Sequence, residues 1–135
     1  MVVNIYTDGG SRGNPGISGI GYVIKNENEV IYQNSKFIGV TTNNRAEYTA
    51  LIEAVTTLLN LNLIYNQVNF YSDSELMVRQ LNGLYKVKSP NVLDLYGQVR
   101  TLLSRLNCNY QFIHILRNKN FLADQLANSA MDQQL

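Results

Sequence analysis

Four acidic residues fall where a carboxylate can do chemistry. Asp8 ends the alternating run 2–8 and enters the pair Gly9-Gly10. Glu47 sits in or near the first turn of a helical run, Asp73 ends a second β-rich run, and Asp124 lies early in a final helical run. Asp8 and Asp73 thus stand at the carboxyl ends of strands, where open α/β sheets place their sites. If the fold converges the four, they repel one another and raise their pKa values. Each acid also has a plainer reading. Asp8 suits a turn, Glu47 a helix dipole, Asp73 the cap of the next helix, and Asp124 a solvated face.

The rest of the composition narrows the field. A chain of 135 residues fits one domain, expected here over 1–135, and one of this size holds a core without disulfides. With 45% hydrophobic and 16% charged residues, it is not a disordered chain. Cys108 is the only cysteine and His114 the only histidine, which excludes a disulfide framework and sites built on several Cys or His. No apolar run approaches the roughly 20 residues of a membrane span, and residues 2–8 read as a strand rather than a leader. A monomeric cytoplasmic protein is expected, with no membrane partner. The net charge is only +1, so a polyanion would have to be recognised by local geometry rather than by long-range steering.

The elements that must position the acids follow from hydrophobic period. Val3, Ile5 and Thr7 share one side of the first strand. Residues 9–16 form a glycine-rich turn, and 18–40 read as a hairpin turning at 26–29. The period then changes: Ala46, Ala50, Leu51, Ala54, Val55 and Leu58 predict a helix over 41–61 capped by Asn43 or Asn44. A strand over 67–73, a short helix over 74–83 stopped by Gly83, a helix over 89–106, a strand over 110–116 and a helix over 120–133 complete the chain. The order βββαβααβα implies an α/β fold, a five-stranded mixed sheet with helices on both faces.

The residues flanking the acids carry a family likeness. Thr7-Asp8-Gly9-Gly10-Ser11-Arg12-Gly13-Asn14-Pro15-Gly16, Thr42-Asn43-Asn44-Arg45-Ala46-Glu47, Tyr71-Ser72-Asp73-Ser74 and Asn120 to Ala127 occur in this order. Together they resemble type 1 ribonuclease H over essentially the whole chain. The resemblance implies an endonuclease that hydrolyses the RNA strand of RNA–DNA hybrids and leaves 5′-phosphomonoesters. It implies two Mg2+ ions, with Mn2+ as a substitute, Asp8 bridging both, Glu47 and Asp73 holding one and Asp124 helping to hold the other. A metal pair suits phosphodiester hydrolysis because it activates the attacking water and stabilises the leaving oxygen.

The resemblance also assigns substrate contacts. Gly9 and Gly10 let backbone approach the hybrid's minor groove, while Asn14, Asn43 and Asn44 face sugars and bases. Thr42 and Asn91 match a pocket for a DNA-strand phosphate, with helix capping as the plainer reading of Asn91. Glu75 stands where a glutamine is frequent and can accept from a 2′-hydroxyl. Arg12 and Arg45 are phosphate neighbours. Two features depart from many relatives. The basic protrusion is reduced to 83–89, with only Lys86 and Lys88, so fewer phosphate contacts are expected. The loop histidine is also missing, because His114 is embedded in a strand pattern. The likeness is to the compact, archaeal-like branch, in which an arginine takes that place, here Arg117. Two alternatives remain: a nuclease of wider specificity that includes double-stranded RNA, and a catalytically weak hybrid-binding module.

Overall fold

The computed structural model describes residues 1–134; Leu135, the last residue of the expected domain, lies outside them. Three strands open the chain: β1 (Val2–Arg12), β2 (Gly16–Asn26) and β3 (Glu29–Thr41). There follow α1 (Asn43–Asn60), β4 (Gln67–Ser72), α2 (Glu75–Leu81), α3 (Pro90–Leu103), β5 (Asn109–His114) and α4 (Phe121–Asp132), the last preceded by a single 3-10 turn at Arg117–Lys119. The expected order is therefore observed. The sheet runs β3-β2-β1-β4-β5. β1 pairs antiparallel with β2 and parallel with β4, so it is central and contributes to both halves of the mixed sheet.

Alternation along the strands assigns the two faces. Val3, Ile5 and Thr7 are buried as expected, and Val3 and Ile5 join Tyr22, Ile24, Val68 and Phe70 in a core closed by α1, α2 and α3. The opposite face of β2 carries Gly19 and Gly21 under α4. A Cβ on Gly21 would lie 2.4 Å from the carbonyl oxygen of Ala123. Only glycine lets the α4 backbone settle that close to the sheet.

Several boundaries differ from expectation, each for a physical reason. β1 does not stop at Asp8 but runs to Arg12, because Gly9 and Gly10 keep extended pairing with Ile20 and Gly19. The turn is confined to Gly13–Pro15, with a cis Asn14–Pro15 bond. The cap of α1 is Thr42, not Asn43 or Asn44. Its hydroxyl accepts from the Arg45 N–H at 3.3 Å, while the Asn43 side chain is engaged by the Ser11 N–H. Ser89, not Asn91, caps α3, since Pro90 suits the first helical position and sets the cap one residue earlier. Glu47 is the fifth residue of α1 and so lies beyond the first turn, which carries no acid.

Candidate active site

The strand register brings the acids together. Thr7 pairs with Ser72 at the end of the parallel β1–β4 ladder, which sets Asp8 beside Asp73. Glu47 arrives from α1. The Ala46 backbone lies so close to Gly9 that a Cβ there would stand 2.3 Å from the Ala46 carbonyl carbon. This approach lets the Gly9 N–H donate to Glu47 Oε1 at 2.8 Å. One carboxylate oxygen each from Asp8, Glu47 and Asp73 lie within 4.8 Å of one another. Asp124, in the first turn of α4, lines the same open cleft of about 420 Å3.

The charge balance of this cleft is unfavourable without a counter-ion. Burial, followed by the neighbouring charges of Asp73 and Asp124, pushes the Asp8 carboxyl up to about 8. Burial also raises Glu47, aided by Asp8 and Asp73 and opposed by the Gly9 N–H bond. Burial raises Asp73 as well. The cation among the residues lining the acidic end is Arg117, whose Nη2 lies 3.1 Å from Asp124 Oδ1. A donor set made only of hard carboxylate oxygens, crowded and short of positive charge, fits Mg2+ or Mn2+ and suits softer thiolate-seeking metals poorly.

A second cluster extends the cleft along the β1 turn and the start of α1. Asn43 Oδ1 accepts from the Ser11 N–H at 2.8 Å, and the Asn43 N–H donates to Asn14 Oδ1 at 3.1 Å. At the α1 cap, Asn91 Nδ2 from α3 donates to Thr42 Oγ1 at 3.0 Å. Arg45 is anchored beside them by Asp94, with N···O distances of 3.0 and 3.3 Å. Thr42, Asn91 and Arg45 therefore do meet. Asn44 is exposed on the same surface.

Other expected residues are less central. Gly10 and Arg12 line the cleft, but Arg12 is paired with Asp132. Glu75 is outside the cleft wall and pairs with Arg79 at 2.9 Å, one helical turn on. His114 is the last residue of β5, exposed, and not among the lining residues, whereas Arg117 is. Sequence reasoning missed Asn128, whose Nδ2 donates to the Asp124 carbonyl at 3.0 Å and to its carboxylate at 3.3 Å. Its spacing four residues after Asp124 was the available signal.

Comparison with known proteins agrees with this geometry. Residues 6–130 match the family model described as reverse transcriptase-like. A bifunctional protein of Mycobacterium tuberculosis is 41% identical over 98% of this chain, which spans 36% of that relative's length. Ribonuclease HI of Halobacterium salinarum is 34% identical, covering 96% of this chain and 64% of the relative. Among solved structures, the LC11 ribonuclease H1 in complex with an RNA/DNA hybrid is similar at a TM-score of 0.93 and 43% identity, over 98% of both chains. A shared fold at this identity and coverage means that the chain belongs to the type 1 ribonuclease H family.

Proposed function

We propose that the domain is an endonuclease that hydrolyses the RNA strand of RNA–DNA hybrids and leaves 5′-phosphomonoesters. The observation that carries this reading is the convergence of Asp8, Glu47 and Asp73 within 4.8 Å, with Asp124 in the same cleft. These four acids would hold two divalent cations, Mg2+ in the first instance and Mn2+ as a substitute. Bound there, the ions would supply Lewis acidity at the phosphate and a more acidic water.

The chain's own residues do the remaining work. The Gly9 N–H fixes the Glu47 carboxylate. Arg117 offers a permanent cation that binds phosphate but shuttles no proton at neutral pH. Its pair with Asp124 is solvent-exposed on the arginine side, 76% against 24%, so it is worth about 1 kcal/mol or less and yields easily to other ligands. Asn14 and Asn43 use their Oδ1 atoms internally, which leaves their Nδ2 donors for the sugar and base edges of the substrate. A 2′-hydroxyl can accept from such donors, and this is the feature that separates RNA from DNA. Asn44 adds a free amide. Thr42 and Asn91 form a polar pair for a DNA-strand phosphate beside Arg45, Arg12 offers a phosphate contact at the cleft, and Glu75 can accept from a 2′-hydroxyl. The LC11 relative was solved with an RNA/DNA hybrid, which supports this substrate class.

No helix among the described residues is long and apolar enough to cross a membrane, and we place the domain in the cytoplasm as a monomer. The deciding assay offers matched RNA–DNA hybrid, RNA duplex and DNA duplex with Mg2+, Mn2+ or EDTA. Cleavage of the RNA strand of the hybrid, lost in EDTA, is expected. Equal cleavage of the RNA duplex would instead establish wider specificity, and binding without cleavage a hybrid-binding module.

A further inference from the structure

Asn120 stands immediately before α4, in the position where an asparagine ordinarily caps a helix. The other three helices are capped by side chains, from Thr42, Ser74 and Ser89, but the Asn120 side chain makes no capping bond. It turns away instead. Its Nδ2 donates to the backbone carbonyl of Thr7 at 2.8 Å, in an environment where the residue is 1% exposed. Thr7 is the residue before Asp8. The Asn120 backbone completes the junction: its N–H donates to the Arg117 carbonyl at 3.0 Å, and its carbonyl accepts from the Asp124 N–H at 3.1 Å. One buried residue thus connects the strand that bears Asp8 with the segment that bears Arg117 and Asp124.

This arrangement is not the one that stability alone favours. The stabilising cap that an asparagine supplies is forgone here. Asn120 Oδ1 is also buried without a hydrogen-bond partner, and such a group is destabilising. A leucine, with the same number of side-chain heavy atoms, would avoid that cost. What a leucine cannot supply is the directed N–H to the Thr7 carbonyl. Moreover, α4 rests on Gly19 and Gly21, and glycine presents no side chain into which α4 can lock. Along that surface α4 is held by polar contacts at intervals, Ser35 Oγ to the Leu126 carbonyl and Arg12 to Asp132, and Asn120 supplies the contact at the end that bears Asp124.

We propose that Asn120 is a positioning residue for the metal site: its side-chain bond to Thr7 sets the α4 start against β1 and so holds Asp124 and Arg117 in register with Asp8. This rests on the proposed reading of the acids as metal ligands. Residues that orient metal ligands from behind typically cost 10–100-fold in metal affinity or activity when removed.

The test uses Asn120→Ala and Asn120→Leu, the second of which keeps the branched shape and the number of heavy atoms and removes both the N–H donor and the unpartnered acceptor. Val99→Ala, a truncation of a fully buried α3 residue, serves as the control for lost stability. The first readout needs no turnover: the Mg2+ concentration at half-maximal metal-induced rise in melting temperature. Both Asn120 variants are expected to shift that midpoint upward about tenfold or more, and Val99→Ala to leave it unchanged. In the hybrid assay, kcat should fall about 10–100-fold with KM nearly constant, well below the melting temperature of every variant. In an Asp124→Asn background the Asn120 substitutions should add little, because they act through a ligand already lost. A wild-type midpoint in Asn120→Leu, or losses no greater than those of Val99→Ala, would overturn the proposal. If the wild-type domain binds Mg2+ but cleaves no hybrid, the functional reading fails while the midpoint comparison still decides the role of Asn120.

Discussion

Asp8→Asn should make the metal-free protein more stable, although it removes a residue at the centre of the site. In the folded chain burial and the adjacent acids push the Asp8 carboxyl from 3.8 up to about 8. An acid whose folded pKa exceeds its unfolded value binds its proton more tightly in the folded state. Stability is therefore undiminished by this group below its unfolded pKa. It declines as pH rises from about 4 to about 8, and then levels off. At pH 7 roughly three pH units of that decline have accrued, which at ~1.4 kcal/mol per unit sets an upper figure of ~4 kcal/mol. The amide keeps the volume and removes the charge, and it also relieves Glu47 of a repulsive neighbour. Imperfect hydrogen bonding of the new amide subtracts about 1–2 kcal/mol. A net gain of ~2–3 kcal/mol remains, which for a domain of this size is ~7–10 °C in melting temperature.

The assay is thermal unfolding of both proteins in EDTA between pH 4 and pH 8. The variant should lead at neutral pH and fall slightly below wild type near pH 4, where wild-type Asp8 is protonated and only the hydrogen-bonding cost of the amide remains. Added Mg2+ should raise the wild-type melting temperature and narrow the difference. Equal or lower stability of Asp8→Asn at pH 7 in EDTA would refute the electrostatic account. So would a gain that is the same at pH 4 and pH 7, because that gain would come from packing or hydrogen bonding rather than charge.

Other outcomes follow from the same geometry. Asp73→Asn should abolish hybrid cleavage while circular dichroism remains native, since charge is lost without volume; near-normal turnover in Mg2+ would remove Asp73 from the site. His114→Ala should keep most of the activity, because His114 ends a strand away from the cleft lining; a hundredfold fall in kcat at an unchanged melting temperature would show otherwise. Gly21→Ala drives a Cβ to 2.4 Å from the Ala123 carbonyl oxygen and should destabilise the fold by about 1–3 kcal/mol, with a weakened Mg2+ response because α4 carries Asp124. In a DNA–RNA–DNA strand series paired with DNA, cleavage should fall steeply as the ribonucleotide block shrinks and depend only modestly on salt, given a net charge of +1; a single ribonucleotide cut as well as full RNA would contradict recognition through Asn14, Asn43 and Asn44.

The sheet and its order were legible because hydrophobic period survives burial on one face. Val3, Ile5 and Thr7 alternate against Val2, Asn4 and Tyr6, and the structure buries the first set. Helix starts were less legible where several capping residues stand in a row. Thr42, Asn43 and Asn44 all suit a cap, and the choice was settled by a partner far away in sequence, the Ser11 N–H that engages Asn43. Gly9 and Gly10 misled for a related reason. Glycine signals a turn locally, but here Gly9 is demanded by the approach of the Ala46 backbone, 37 residues later in sequence. A local pattern cannot distinguish a glycine that turns the chain from one that makes room for another element.

The same distinction explains which site residues could be read in advance. The acids were conspicuous because charge at a strand end needs an explanation, and their flanking residues supplied one. Asn120 was not conspicuous, since an asparagine before a helix already has an explanation as a cap. Only the structure shows that the expected bond is absent and that the amide reaches Thr7 instead. Arg117 falls between these cases. Its charge was noticed, but its ion pair with Asp124 depends on the 3-10 turn at Arg117–Lys119, which returns the chain towards α4 and brings the guanidinium beside the first turn of that helix. Ligands are thus marked by residue type, whereas the residues that hold ligands in register are marked only by departures from their ordinary local bonding. A side chain that forgoes a favourable local bond for a buried long-range one therefore identifies a constraint imposed by the site.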